Sequence, residues 1–278
     1  MMNETAIEAF ARQIRRDVVS MIKEAGDGHA GGSLSAADII ATLYCGAMRI
    51  DPSDPRKANR DRFILSKGHS CPALYAALAR RGFFPVEFLS SLRRLNSILQ
   101  GHPDMNKTPG LDATTGSLGH GLAIGAGMAA AASMRGLDYD VFVLLGDGEL
   151  DEGLIWESAS CAAHRRLGHL IAFVDNNGLQ ADGSVTEVSG MTNIAARFAA
   201  FGWRTEEIDG HDVGAILGAI ERARESARPG GEERPTVIIA HTIKGKGVPF
   251  MEGDPSWHKR VPTDAEYAAA MAALGSGI

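Results

Sequence analysis

The chain has 278 residues, 28 Lys+Arg against 34 Asp+Glu, and a formal net charge of -6. That length is ample for a buried core without disulfide or metal staples, and 45% hydrophobic with 22% charged residues excludes global disorder. The mild acidity gives no electrostatic reason to expect nucleic acid or an anionic membrane, so any bound anion must be met by local groups.

Elements follow in chain order. Residues 4–25 place Ile7, Phe10, Ala11, Ile14, Val18, Met21 and Ile22 at a helical period. The first twenty residues interrupt their apolar positions with Glu4, Glu8 and three arginines, which is not a signal peptide. GDGHAGGS ends the first helix, and Ser35 is positioned to cap a second over Ala36–Arg49, before Asp51-Pro52. DRFILS reads as a short strand, then KGHS leads into a helix from Cys71 to about Arg81. Residues 85–100 read as helical, GHPDMNKTPG as a loop, and TTGSLGHG opens a small-residue helix to about Arg135. Gly121–Met134 is the most apolar long stretch, mostly Gly and Ala, and is too short to span a membrane. DVFVLLGDG is a strand and a tight turn, followed by a helix over Asp151–Leu167 and the strand HLIAFVDNN. After GLQADGSV come a helix near 193–200, a strand at 203–208, a helix at 212–226 and the strand PTVIIAHT. A long Gly/Pro loop, KGKGVPFMEGDPSWHKRVP, precedes a last helix over 263–274. Strands alternating with helices predict an α/β fold, three-layer α/β/α with a mostly parallel sheet. There is no internal repeat or linker, so residues 1–278 read as one domain. Ligands in such folds sit outside the carboxyl ends of the strands, which puts GDG, DNNG and the KGKG loop along one edge.

Two strand-end motifs point to a metal. Asp147 in GDG offers a carboxylate, Asn177 in DNNG an amide carbonyl, and the backbone near Leu179 a third oxygen. Hard oxygens with few protein ligands suit Mg²⁺ or Ca²⁺ whose other positions are filled by phosphate and water. Glycine is enriched, 33 residues against an average near 7%, and many lie beside His, Asp or Ser where backbone must approach something closely. His29, His69 and His102 sit in glycine-rich loops and His258 in the late loop; imidazoles there can donate to hydroxyls, a carbonyl or a phosphate. His120, His164, His169, His211 and His241 read as structural. Cys45, Cys71 and Cys161 are odd in number with no CxxC pair, which indicates neither zinc nor a disulfide framework and suits a reducing, cytoplasmic compartment.

Seven segments in order, DGHAGGSLSAADIIATLY, DRFILSKGHSCPALYAAL, GHPD, TTGSLGHGLAIGAGMA, GDGELDEGLIWES, FVDNNGLQADG and IKGKGVPFMEGDPSWH, resemble the successive signatures of the N-terminal, diphosphate-binding domain of transketolases. The KGKG…SWH form and Ser117 are similar to the shorter, animal-like branch. The resemblance implies thiamine diphosphate held through Mg²⁺ or Ca²⁺ by Asp147, Asn177 and the Leu179 carbonyl. It implies that His69, Gly148, Asn177 and His258 contact the diphosphate side, that Gly116, Ser117 and Leu118 line the rings, and that Lys244 closes a loop over the cofactor. His29, His102 and His258 would face the ketose donor. Glu152 and Glu157 fall where the family places carboxylates at a dimer interface linking the two cofactor sites. The family draws its activating carboxylate, and the basic and Ser residues that grip a sugar phosphate, from a second, pyrimidine-binding domain, for which the sequence ending at Ile278 leaves no room. The resemblance therefore implies the N-terminal subunit of a split transketolase acting on sugar phosphates, with a C-terminal partner chain in a two-fold α2β2 assembly. An α subunit of a 2-oxo acid dehydrogenase and a non-catalytic thiamine-diphosphate-binding regulator are the alternatives. The first sits poorly with the three loop histidines, which suit polyhydroxylated substrates, and the second with intact substrate-facing residues.

Overall fold

The computed structural model describes residues 2–228 and 230–275. Helix α1 (Glu4–Ala25) starts at Asn3, whose side chain accepts from Ala6 N at 2.9 Å, and stops at Gly26 in the left-handed region (φ 69). Two short helices, α2 (Ala30–Ser35) and α3 (Ala37–Thr42), follow, and the chain leaves α3 through a wide turn, Leu43–Ala47. Strand β1 (Arg62–Leu65) and helix α4 (Cys71–Arg80) precede an irregular stretch to α5 (His120–Arg135). Then come β2 (Val141–Gly146), α6 (Gly153–His164), β3 (Leu170–Asn176), α7 (Val185–Ser189), α8 (Ile194–Ala200), β4 (Arg204–Asp209), α9 (Val213–Ala227), β5 (Thr236–His241) and α10 (Asp264–Ala273).

The five strands form one sheet in the order β1-β2-β3-β5-β4, with every pairing parallel. Alternate strand residues feed two separate cores, as period-two geometry requires. Phe63, Phe142, Ile171, Phe173 and Ile238 pack under α1, α3, α4 and α9. Ile64, Val143, Ala172, Val174 and Ile239 pack under α5, α6 and α8. The expected three-layer α/β/α fold with a parallel sheet is the one observed. The edge strand β4 carries the exposed charge of Glu207, and such charge discourages further strand pairing. Among the described residues no helix is long and apolar enough to cross a membrane.

Two local expectations fail. Ser35 does not cap a helix: it ends α2, the helix begins earlier at Ala30, and the Ser35 hydroxyl donates to Asp175 at 2.6 Å instead. Residues 85–100 are not a helix but a 3-10 turn, Val86–Ser91, and then loop. Ser90 and Ser91 turn their hydroxyls onto Glu87 O (2.9 Å) and Phe88 O (2.6 Å), competing with helical bonding, and Arg93 and Asn96 take positive φ. Leu95, which continues an apolar stripe in the sequence, is 93% exposed.

At the amino end of the sheet buried charges tie strands to helices. Asp61 accepts from Arg49 N (2.7 Å) and Asp140 N (3.0 Å), while Asp140 accepts from Arg224 Nε (2.7 Å) and faces His169 Nδ1 (2.8 Å). Asp140's hydrogen bond raises the His169 pKa above its ordinary value, against the opposing effect of burial. The stabilisation from this proton is complete below about 6.5 and fades as pH rises through the raised folded value. His169→Gln should therefore lower the urea midpoint more at pH 6 than at pH 8.5. Equal losses at both would mean that His169 contributes shape and not charge.

Candidate active site

The carboxyl ends of β1, β2, β3 and β5 open into one cavity of about 190 Å³, lined among others by Lys67, His69, Leu118, Asp147, Asn177 and His258. Its floor is built from strand ends. Asp147, 2% exposed, follows β2 and accepts from Gly148 N (2.8 Å) and Gly178 N (2.5 Å), so its carboxylate joins the ends of β2 and β3. Burial, helped by the nearby Asp175 carboxylate, pushes its pKa up to about 6. Asn177 Oδ1 accepts from Leu179 N at 3.1 Å, which folds the loop back over the site. Glycines keep the cradle tight: a Cβ on Gly148 would lie 2.7 Å from Gln180, and one on Gly32 3.1 Å from Ser70 Oγ and 3.4 Å from Lys67 Nζ.

Two cations serve this floor. Lys244, 2% exposed, donates to the carbonyls of Leu179 (3.2 Å) and Gln180 (2.8 Å) and lies 3.1 Å from His258 Nδ1. Burial, then the Lys67 charge, lowers its pKa to about 8. Lys67, at the end of β1 and equally buried, pairs with Asp175. Burial opposes charge on Asp175, but Lys67 and the hydroxyls of Ser35 and Thr242 hold its carboxyl below the usual range. Lys67 and Asp175 are not among the residues the sequence motifs single out. A lysine directly after an apolar strand, and an Asp one position before the paired asparagines, were the signals available.

Above the floor, His29, His69 and His258 meet with ring centroids 5.2–5.4 Å apart. Burial lowers the pKa of all three, with neighbouring cations and imidazoles adding to it; His29 and His258 fall to about 4. The rings are neutral at pH 7, each offering one N–H donor and one acceptor. His29 Nδ1, Ser70 Oγ and Thr115 Oγ1 are buried without a partner among the described residues. His102 stands slightly apart and exposed, beside Gly116, where a Cβ would come 3.2 Å from its ring. Ser117 is exposed in the same loop, and Leu118 reaches the cavity wall.

A further carboxylate was not foreseen. Glu149, 3% exposed, accepts from Gly119 N (2.8 Å), Gly146 N (3.0 Å) and the Ser66 hydroxyl. It ties the 116–119 loop to the ends of β1 and β2. Glu152 is exposed, its Cβ packs against Gly119, and it lies outside the cavity lining of this chain. Glu157 is likewise exposed on α6, outside the cavity.

The residues fit the implied groups. Asp147, Asn177 and the Leu179 carbonyl present hard oxygens, and Lys67 and Lys244 present charge for a diphosphate. Among the described residues no three His, Cys, Asp or Glu side chains gather as a metal-binding group, which is compatible with a cation held largely by phosphate and backbone oxygen.

A parallel sheet whose carboxyl ends carry a buried carboxylate, two buried lysines and a neutral histidine cluster suits a diphosphate-cofactor domain of the α/β class. The family described as "Transketolase, thiamine diphosphate binding domain" matches residues 6–277, and the chain belongs to the transketolase family. It is 45% identical over 264 residues to the 6-deoxy-6-sulfo-D-fructose transketolase subunit SqwG of Clostridium sp. (strain MSTE9), covering 95% of this chain and 94% of that one. It is 39% identical to an apulose-4-phosphate transketolase subunit of Phocaeicola vulgatus, covering 97% and 94%. The transketolase of Campylobacter jejuni superposes with a TM-score of 0.92 at 31% identity, covering 99% of this chain and 44% of that one. The chain thus spans nearly the full length of these two transketolase subunits and under half of the Campylobacter jejuni transketolase chain. It corresponds to the N-terminal, thiamine diphosphate-binding subunit.

Proposed function

We propose that this chain and a C-terminal partner chain, in a two-fold α2β2 assembly, transfer a two-carbon ketol unit from a ketose to an aldose. The observation that carries the reading is the junction of a diphosphate cradle (Asp147, Asn177, Lys67, Lys244) with three neutral imidazoles. Charged floor and hydroxyl-reading wall together suit a cofactor and a polyhydroxylated substrate. Three loop imidazoles suit a polyhydroxylated ketose better than a 2-oxo acid, which offers fewer hydroxyls to read. The cavity is smaller than the usual small-molecule pocket of about 300–1,000 Å³, as expected of a site completed by another surface. We place the assembly in the cytoplasm, where Cys45, Cys71 and Cys161 remain thiols.

Thiamine diphosphate, when bound, supplies a carbon nucleophile that accepts the ketol unit. Mg²⁺ or Ca²⁺ would be held by Asp147, Asn177 and the Leu179 carbonyl. Lys67, Lys244, His69, Gly148 and His258 would hold the diphosphate side, with Lys244 leaving its carbonyl partners to do so. Gly116, Ser117 and Leu118 would flank the rings. His29, His102 and His258 orient the ketose and donate to the oxygen on which charge develops. Losing one such donor costs about 2.7–4 kcal/mol in the transition state. His29→Ala and His102→Ala should each lower kcat/KM for the ketose by about 10²–10³ while thiamine diphosphate affinity, measured by titration calorimetry, changes little. Lost cofactor binding with normal residual catalysis would move these histidines to the diphosphate site. Turnover of a 2-oxo acid instead of a ketose would reject the transketolase reading.

The two length-matched relatives are named for a sulfonated and a phosphorylated sugar. We extend that property to this chain: its ketose carries an anionic group.

A further inference from the structure

Beside the histidine cluster, outside the diphosphate cradle, three charged side chains meet. Arg93 Nη1 lies 3.0 Å from Asp27 Oδ2, and Lys259 Nζ lies 3.7 Å from Asp27 Oδ1. Each is tied to a different substrate-facing histidine. Asp27 sits two residues before His29, and Lys259 directly follows His258. Arg93 rests on the residue before His102: a Cβ on Gly101 would fall 2.7 Å from its guanidinium. Its placement is fixed by a turn in the left-handed region (φ 61), closed by Arg93 N donating to Leu99 O at 2.9 Å.

The charge count is unbalanced. One carboxylate serves two cations, and only Arg93 is at hydrogen-bond distance from it. Lys259 is spare, with 57% of its side chain exposed. Both cations act on the site, since each helps to disfavour protonation of His29 and His102 behind the larger effect of burial. An exposed cation next to the imidazoles that would hold sugar hydroxyls is placed to meet a charged part of the same substrate.

We propose that Arg93 and Lys259, tethered by Asp27, form an anion-recognising collar that reads the tetrahedral oxyanion, phosphate or sulfonate, borne by the ketose. This deepens the transketolase reading and rests on it. A guanidinium presents a planar fork to such an oxyanion and an ammonium a point charge. Asp27 competes for the same groups, so it both pre-orients them and weakens their hold. This chain would then share the recognition that the family resemblance assigns wholly to the partner.

The test uses the assembled enzyme and compares kcat/KM for a ketose phosphate, the corresponding sulfonated ketose and the uncharged ketose. Lys259 is exposed, so Lys259→Gln should fold normally. It should lower kcat/KM by about 10-fold or more for the anionic ketoses, as for loss of a hydrogen bond to a charged group, and by under about 2-fold for the neutral one. Asp27→Asn, which frees both cations, should raise kcat/KM selectively for the anionic substrates. A selective effect in the phosphate arm or the sulfonate arm supports the collar and names the anion it reads. Equal effects on charged and neutral ketoses, or none, overturn it. Absence of ketol transfer from every ketose by the unmodified assembly would sink the transketolase reading instead.

Discussion

Supplied with thiamine diphosphate, Mg²⁺ and a ketose–aldose pair, the purified chain alone should show no measurable ketol transfer, and adding the C-terminal partner should restore it. Activating the cofactor requires a carboxylate positioned against its pyrimidine ring. The cavity's own carboxylates are committed. Asp147 is held by Gly148 N and Gly178 N, and Glu149 by Gly119 N, Gly146 N and Ser66. Glu152 and Glu157 are exposed, outside the cavity. A positioned acid–base group is worth about 10²–10⁴ in rate, and the open side of the cavity leaves reactive carbon unprotected from water, so the combined deficit should exceed that range. The measurement is ketol transfer by this chain with and without the partner, together with the mass of the mixture in solution. A two-fold assembly of two copies of each chain gives two equivalent sites. Full turnover by this chain alone would refute the half-site reading and require a free carboxylate in the cavity, where the described residues present none.

What the sequence made legible follows from what each residue must satisfy. Strands and long helices were readable because their apolar periods are imposed by the two cores, and the motifs GDG and DNNG because they interrupt apolar strands at the ends where ligands bind. The 85–100 stretch misled because Leu89, Leu92, Leu95 and Leu99 imitate a helical stripe, whereas serine hydroxyls and the positive φ of Arg93 and Asn96 break it. Ser35 misled for a related reason: a serine before an apolar run is a capping signal, but a buried carboxylate 140 positions away claims its hydroxyl. Lys67, Asp175 and Glu149 escaped because their meaning lies in long-range pairing, which a linear pattern does not encode. The lysine is interpretable only once β1 and β3 are known to end in the same place. Glu149 looked like one more charge in GDGELDEG, although it turns inward with Asp147 while Asp151 and Glu152 stay exposed.

Asp147 carries the largest single-residue effect expected in this chain. It is the charged member of the proposed metal set and the point where β2 and β3 are joined. Its protonation equilibrium already shows the conflict: burial, then the Asp175 charge, raises its pKa to about 6, so the folded chain without metal holds the ionised form at a cost. A cation removes that conflict, which is why metal and diphosphate should bind together. Asp147→Asn keeps the size and loses the charge. Affinity for thiamine diphosphate in the presence of Mg²⁺ and cofactor-dependent activity of the assembly should both fall by orders of magnitude, since the metal anchors the charged end of the cofactor. Stability separates this from misfolding. In the wild-type metal-free chain the raised pKa makes folding less favourable as pH climbs from about 4 to about 7, and the uncharged variant lacks that term. Its unfolding free energy relative to wild type should therefore improve over that interval, even if the amide leaves Gly148 N or Gly178 N without an acceptor and lowers stability at every pH. Denaturant titrations at pH 4.5 and 7.5 read this slope directly. Near-normal cofactor affinity and activity in Asp147→Asn would remove Asp147 from the metal site, whereas lost affinity without the pH-dependent gain would mean that its carboxylate is not the strained group described.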